Sequence, residues 1–203
     1  MSDKVDDFSI IDNTQYIVYR SDRINNRNGG GTLILVKNSF CSRLIDSTEI
    51  NGINYLLVSV LNIHILLVYV PPTQTKSETN ISSLCNYLMN WVTEVQDIII
   101  LGDFNLPNLF STNIIKLTTV DKLLTDLCNK LELSQLITFP TRNNHILDRM
   151  YTNRTDLITG IKQLPPFNNS DHLSFSFFLR LTSTLGVSKL LCGLILERLT
   201  LIP

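Results

Sequence analysis

Four consecutive aliphatic residues, Ile98-Ile99-Ile100-Leu101, run without a polar interruption and stop at Gly102-Asp103-Phe104-Asn105. A run this short cannot hold itself as a helix, and its unbroken apolar character predicts a strand buried on both faces. Such a strand lies inside a sheet covered by further layers, which constrains the whole chain to a layered fold. Gly102 is expected to release the backbone from the strand. Asp103 and Asn105, two residues apart, then fall on one side of an extended segment with Phe104 on the other. A carboxylate that only accepts hydrogen bonds, beside an amide that donates and accepts, can orient a nucleophile or a phosphate oxygen. Gly, Asp and Asn are also ordinary turn residues, so a polar turn is the competing reading of the same positions.

The surrounding sequence supplies layers for that strand. Residues 55–61 and 64–70 read as two apolar strands joined at Asn62-Ile63, a core hairpin that ends at Pro71-Pro72, where a ladder cannot continue. Tyr69 therefore falls at a strand end. Residues 77–95 carry Leu84, Tyr87, Leu88, Trp91, Val92 and Val95 at three- and four-residue intervals, one face of a helix that feeds the central strand. A second helix is predicted over 119–131, with Val120, Leu123, Leu124, Leu127 and Leu131 inward. Strands are predicted at 15–20 and 32–37, joined by a polar loop ending in Gly29-Gly30-Gly31, and at 136–139, 146–152, 157–161 and 173–179. The glycine run precedes a strand where a phosphate-binding loop needs a helix, so it is read as a hairpin connection. Strands, helix, strand, helix, strands make an α/β protein of packed sheets. Beyond residue 180 the apolar positions form no single stripe, although Leu190, Leu191, Leu194, Ile195 and Leu199 suit a short amphipathic helix.

Composition narrows the functional classes. The chain has 203 residues, 44% hydrophobic and 17% charged, with a formal net charge of −1. That suits one well-filled domain and argues against disorder and against binding nucleic acid through overall positive charge. Cys41, Cys85, Cys128 and Cys192 are scattered without metal-ligand spacing, the pattern of reduced thiols in a nuclear or cytoplasmic setting. The acidic start lacks a secretory h-region, so Asn80, Asn153 and Asn168 carry no weight as glycosylation sites. No stretch is long and apolar enough to span a bilayer as a helix.

Polar clusters recur where strands should end. Asn143-Asn144-His145-Ile146-Leu147-Asp148 sets an aspartate in apolar surroundings, where a buried carboxylate needs an imidazole or a metal as partner. Ser170-Asp171-His172 places a carboxylate and an imidazole side by side before the last strand, a pair suited to proton transfer near neutral pH. With Tyr69-Val70-Pro71 and Gly102-Asp103-Phe104-Asn105, these clusters resemble the endonuclease/exonuclease/phosphatase superfamily. The Tyr-Arg-Ser-Asp-Arg string ending at Arg23, the glycine run, Thr138-Phe139-Pro140-Thr141-Arg142 and Leu147-Asp148 through Asn153 are similar to the endonuclease domain of non-LTR retrotransposons of the jockey and CR1 type. The likeness covers roughly residues 10 to 179.

The resemblance implies a four-layered α/β sandwich, two packed mixed sheets flanked by helices, with a Mg²⁺-dependent phosphodiesterase site, Mn²⁺ serving as substitute, and DNA as partner. By motif match His172 is the general base or the group that stabilises the scissile phosphate, oriented by Asp148. Asp103 activates the attacking water, Asn105 holds the phosphate, Tyr69 contacts it, and Asp171 helps bind metal. Ser170, Thr141 and Arg142 are candidates for contact with the phosphate or DNA. Members of the family open with a strand bearing an Asn and a later strand ending in the metal-anchoring Glu, and neither is recognisable here. The expectation is a domain over 1–179 lacking those first strands, a tail over 180–203 outside it, and impaired activity. A non-catalytic module that binds nucleic acid or protein, and a phosphatase of the same superfamily, are the alternatives.

Overall fold

The structure is a computed structural model that describes residues 14–23, 31–109, 117–183 and 186–194, with 181–194 described by backbone alone. Its centre is a six-stranded mixed sheet. In chain order its strands are β3 (Ser42–Ile50), β4 (Ile53–Val60), β5 (Ile63–Tyr69), β6 (Ile98–Asp103), β7 (Ser134–Gln135) and β8 (Asp148–Thr152), in the spatial order β3-β4-β5-β6-β8-β7. β4 and β5 join through Leu61 and Asn62, both at positive φ (51° and 69°), the two-residue turn whose twist suits adjacent antiparallel strands. β5 and β6 are parallel, and parallel neighbours need a crossover. Helix α1 (Glu78–Glu94) supplies it, started by the Ser77 side chain accepting from the Asn80 amide. Helix α2 (Thr119–Lys130) begins in a reciprocal capping box between Thr118 and Asp121.

The run Ile98-Leu101 is buried on both faces, as its pattern requires. Ile98 and Ile100 pack with Tyr55, Leu57, Val68, α1 and α2. Ile99 and Leu101 pack with Leu56, Val58, Leu67, Met150 and the residues of a second layer. That second layer holds two ribbons: β1 (Tyr16–Ser21) with β2 (Thr32–Lys37), and β9 (Ile158–Pro166), β10 (Leu173–Ser183) and β11 (Gly186–Leu194) in the order β11-β10-β9. Phe175, Phe177 and Leu179 of β10 and Val36 of β2 face the large sheet. Helices, six-stranded sheet and second sheet layer thus form an α/β sandwich. No described helix is long and apolar enough to cross a membrane.

Several expectations change. Gly102 does not release the strand: β6 continues through Asp103, and its amides and carbonyls stay in register with β5 and β8. What glycine supplies is clearance, because a Cβ here would meet the Val68 carbonyl oxygen at 1.9 Å. Residues 136–139 are not a strand; the ladder stops at Gln135, one more bond runs from the Leu136 amide to the Met150 carbonyl at 2.9 Å, and the chain then turns toward Pro140. β3 carries no clean alternation because its register shifts between Leu44 and Asp46, which puts Ile45 out of phase. The boundary expected at 179 falls inside β10. Leu190, Leu191 and Leu194 lie on β11, paired antiparallel to β10 rather than on a helix, since the ladder satisfies backbone groups that an unstriped helix would leave without a packing face. Residues 1–13, Gly29, Gly30, Ile195 and Leu199 are outside the described residues.

Replacing Gly102 by alanine forces either β5 or β6 to move. Gly102→Ala is expected to lose about 3 kcal/mol of stability, the upper end for overpacking, measured by urea unfolding. An unchanged midpoint would contradict the close approach.

Candidate active site at the open end of the sandwich

Three strand ends bring the candidate residues together. Tyr69 closes β5, Asp103 closes β6 and Asp148 opens β8; in register Tyr69 faces Asp103, and Asp103 faces Asp148. Strand alternation puts all three on the side of the sheet that faces the second layer, at the rim of the core formed by Leu67, Leu101 and Met150. Two carboxylates directly opposite on neighbouring strands repel. Asp103 is 6% exposed and Asp148 1%, so water does little to relieve them.

His172 answers part of that repulsion. Its Nδ1 lies 2.7 Å from Asp148 Oδ2, so the ring donates there and turns Nε2 outward. Burial pulls the imidazole pKa down, but the hydrogen bond and charge of Asp148, with the charges of Asp103 and Asp171, outweigh it and raise the value above the usual 6.5. Asp103 goes the opposite way from an ordinary carboxylate. Burial first, and the Asp148 charge second, push it well above the usual 3.8, against the opposing pull of His172 and of two hydrogen bonds from Asn105. Asp103, Asp148 and His172 each present a donor atom within 4.8 Å of the others, a group able to hold a metal ion. The buried Asp148 Oδ1 has no protein hydrogen-bond partner, which suits a cation at that position.

Asn105 reaches Asp103 by a different route from the one its spacing implies. The segment is not extended there: Asn105 has φ 49°, and this bend lets its backbone N–H donate to Asp103 Oδ1 at 3.0 Å. Its side-chain Nδ2 donates to Asp103 Oδ2 at 2.6 Å and to the Val70 carbonyl at 2.9 Å. Both amide hydrogens are engaged inward, so the group it presents outward is an acceptor oxygen, Oδ1. Phe104 is fully buried and meets Tyr151 edge to face, with centroids 5.3 Å apart. Beside Asn105 a cleft of about 430 Å³ opens between the starts of α1 and α2, lined by Lys76, Glu78, Asn108 and Thr118 among others.

The remaining candidates divide. Thr141 is 0% exposed, and its hydroxyl accepts from the Leu147 and Asp148 amides, both at 3.0 Å. It sets the start of β8 and cannot touch DNA directly, a correction to its expected role. The Ser170 hydroxyl accepts from the His172 amide at 3.1 Å and fixes the turn that delivers the imidazole. Asp171 stands outside the three-residue group; its side chain is 62% exposed and pairs with Arg142 at 2.5 Å, while its other oxygen lies 3.9 Å from His172 Nε2. Sequence reasoning missed the Val70 carbonyl, a backbone acceptor that no side-chain pattern reports.

The fold is that of the endonuclease/exonuclease/phosphatase nucleases. The chain belongs to the endonuclease-reverse transcriptase family, whose model matches residues 63–176, more than half of its 203 residues. Among solved structures it is similar to the endonuclease domain of TRAS1, a telomere-specific non-LTR retrotransposon, at 17% identity and a TM-score of 0.62, covering 83% of this chain and 81% of that one. It is also similar to the 3′-5′ exonuclease NExo from Neisseria meningitidis, at 12% identity and a TM-score of 0.66, covering 88% and 85%. A Neisseria NExo variant described as a 3′ phosphatase bound to a product DNA hairpin matches at 10% identity and a TM-score of 0.63, covering 86% and 83%. These likenesses carry the fold. No curated protein matches the sequence.

The two shifted groups dictate a pH dependence. Folding raises the Asp103 pKa, so the folded state holds a proton that the unfolded chain has released above about pH 4, and that contribution is lost as pH rises through the raised value. His172 acts in the same sense above its usual 6.5. In metal-free buffer the protein is therefore expected to melt lower at pH 8 than at pH 5. Asp103→Asn, which mimics the protonated acid, should flatten the profile by on the order of 2 kcal/mol, read by thermal denaturation. A variant profile parallel to the parent's would contradict the assignment.

Proposed function

We propose that the chain is a divalent-cation-dependent phosphodiesterase domain that nicks DNA, with His172, Asp148, Asp103, Asn105 and Tyr69 at its reacting centre. The observation that carries this reading is the Asp148–His172 hydrogen bond of 2.7 Å with Asp103 directly across the ladder. Asp148 orients the imidazole and supports its charged form. His172 Nε2 then either stabilises the scissile phosphate or takes up a proton from the attacking water. Asp103, aligned by two donors from Asn105, polarises that water, and the outward Oδ1 of Asn105 accepts from it. The water oxygen bonds to phosphorus as the phosphorus–oxygen bond to the leaving sugar oxygen breaks, and the proton released by the water balances the one gained by the leaving group. Tyr69 lies at the same strand end and is suited to contact a phosphate oxygen, and Arg142 is suited to the DNA backbone at the rim.

Asp103 and Asp148 would hold the cation; Mg²⁺ is the preferred species, and Mn²⁺ is expected to substitute. When bound, it supplies charge neutralisation at the phosphate and orients the leaving oxygen. Asp171 would join only by leaving Arg142, with which it pairs. The chain would act in the nucleus or cytoplasm. Among the described residues no glutamate belongs to the Asp103–Asp148–His172 group.

A plasmid-nicking assay with Mg²⁺ tests this reading. The expected result is nicking that requires the divalent cation and falls about 10²- to 10³-fold in His172→Ala and in Asp103→Ala. Nicking that survives both substitutions would overturn the site.

A further inference from the structure

One large charged side chain lies deep in the molecule and away from the cluster described above. Arg149 is 2% exposed and heads the fully buried side chains by volume. It follows Asp148 on β8, so strand alternation turns it to the opposite face of the sheet, toward the layer of α1 and α2. Its cross-strand neighbour is Gly102, which presents no side chain to compete for that space. A buried guanidinium needs its donors met, because an uncompensated one is strongly unfavourable.

Among the acceptors it finds are backbone carbonyls of the segment that carries Asn105. Nη2 donates to the Leu106 carbonyl at 3.2 Å and to the Leu109 carbonyl at 3.1 Å. Tyr151 and the buried Asp121 of α2 face the same guanidinium and offset its burial. The first turn after β6 is thus tied from beneath: Leu106 and Leu109 are 3% and 4% exposed, and between them and Asp103 the chain must pass Asn105 at φ 49°. Asparagine adopts that conformation more readily than other non-glycine residues, and here its contacts select it. Asn105 has the Val70 carbonyl on one side and Asp103 on the other, and Arg149 fixes the chain immediately beyond it.

We propose that Arg149 is a positioning residue for the reacting centre: it clamps residues 106–109 from the far side of the sheet and so holds Asn105 against Asp103. Adjacent residues of one strand thereby serve one site from two faces, Asp148 through His172 and Arg149 through the turn. The proposal rests on the reading of Asp103 and Asn105 as site residues, and touches no substrate itself.

The test uses the full chain with Arg149→Met and Arg149→Lys, by amide hydrogen exchange and by nicking kinetics. In Arg149→Met the Asn105 and Leu109 amides are expected to exchange about 10-fold faster or more, while Leu56 and Leu57 of β4 keep the parent's rates. kcat should fall about 10²-fold with KM within about 2-fold, the mark of misplaced groups rather than weakened binding, and added methylguanidinium should restore part of it. If Arg149→Met does not fold, Arg149→Lys decides, since its ammonium keeps a donor and a charge: faster exchange confined to 105–109 supports the clamp. Equal acceleration across β4 and 105–109, or Asn105 protection equal to the parent's, would overturn it. Confined acceleration in a chain that nicks no DNA would uphold the clamp and count against the proposed activity, so the two failures are distinguishable.

Discussion

The pairing register of β6 against β8 is the constraint on which the rest depends. Because Gly102 faces Arg149 and Asp103 faces Asp148, the ladder ends with two carboxylates opposed at a buried rim. A slip of one residue would turn Asp148 toward the helices and Arg149 toward the second layer, inverting both environments. The register is therefore set by chemistry on both faces. Apolar residues at Ile99, Leu101 and Met150 hold one side, and the Arg149 guanidinium with its carbonyl acceptors holds the other. Carboxylate repulsion at the end of such a ladder destabilises the folded state. His172 and the hydrogen bonds from Asn105 relieve part of it.

This explains why the polar elements around the site are mostly supports. Thr141 organises two amides at the start of β8, Ser170 organises the turn before His172, and Val70 anchors Asn105. Each satisfies a buried donor or acceptor that would otherwise be unpaired. Asp148 Oδ1, by contrast, is buried with no protein hydrogen-bond partner. The left-handed bend at Asn105 and the raised proton affinity at Asp103 fall two residues apart on one segment, within the cluster where His172 and Asp148 also meet.

Much of the scaffold was legible because its signals are local. The run 98–101, the hairpin of β4 and β5, and both helices follow from side-chain periodicity, and each was placed within a few residues. The site was legible as composition: Asp103, Asp148 and His172 were named from clusters at strand ends and from family resemblance, and the three converge. What failed depends on information that periodicity does not hold. β3 is hidden by a bulge at Ile45, and β11 by pairing with a strand already formed. Asn105 was placed on the correct side for an incorrect reason, since its bend rather than an extended backbone brings it to Asp103. Thr141 matched a motif and was read as a contact, although its burial reserves it for the backbone. The role of Asp171 depends on a partner, Arg142, that only tertiary structure supplies.

The most direct test of the account is the anomalous scattering of Mn²⁺ soaked into crystals of the protein. The account predicts one strong peak bounded by the carboxylates of Asp103 and Asp148, lost in Asp103→Asn. Manganese bound only elsewhere, at exposed Asp171 or the surface, with none between Asp103 and Asp148, would contradict it.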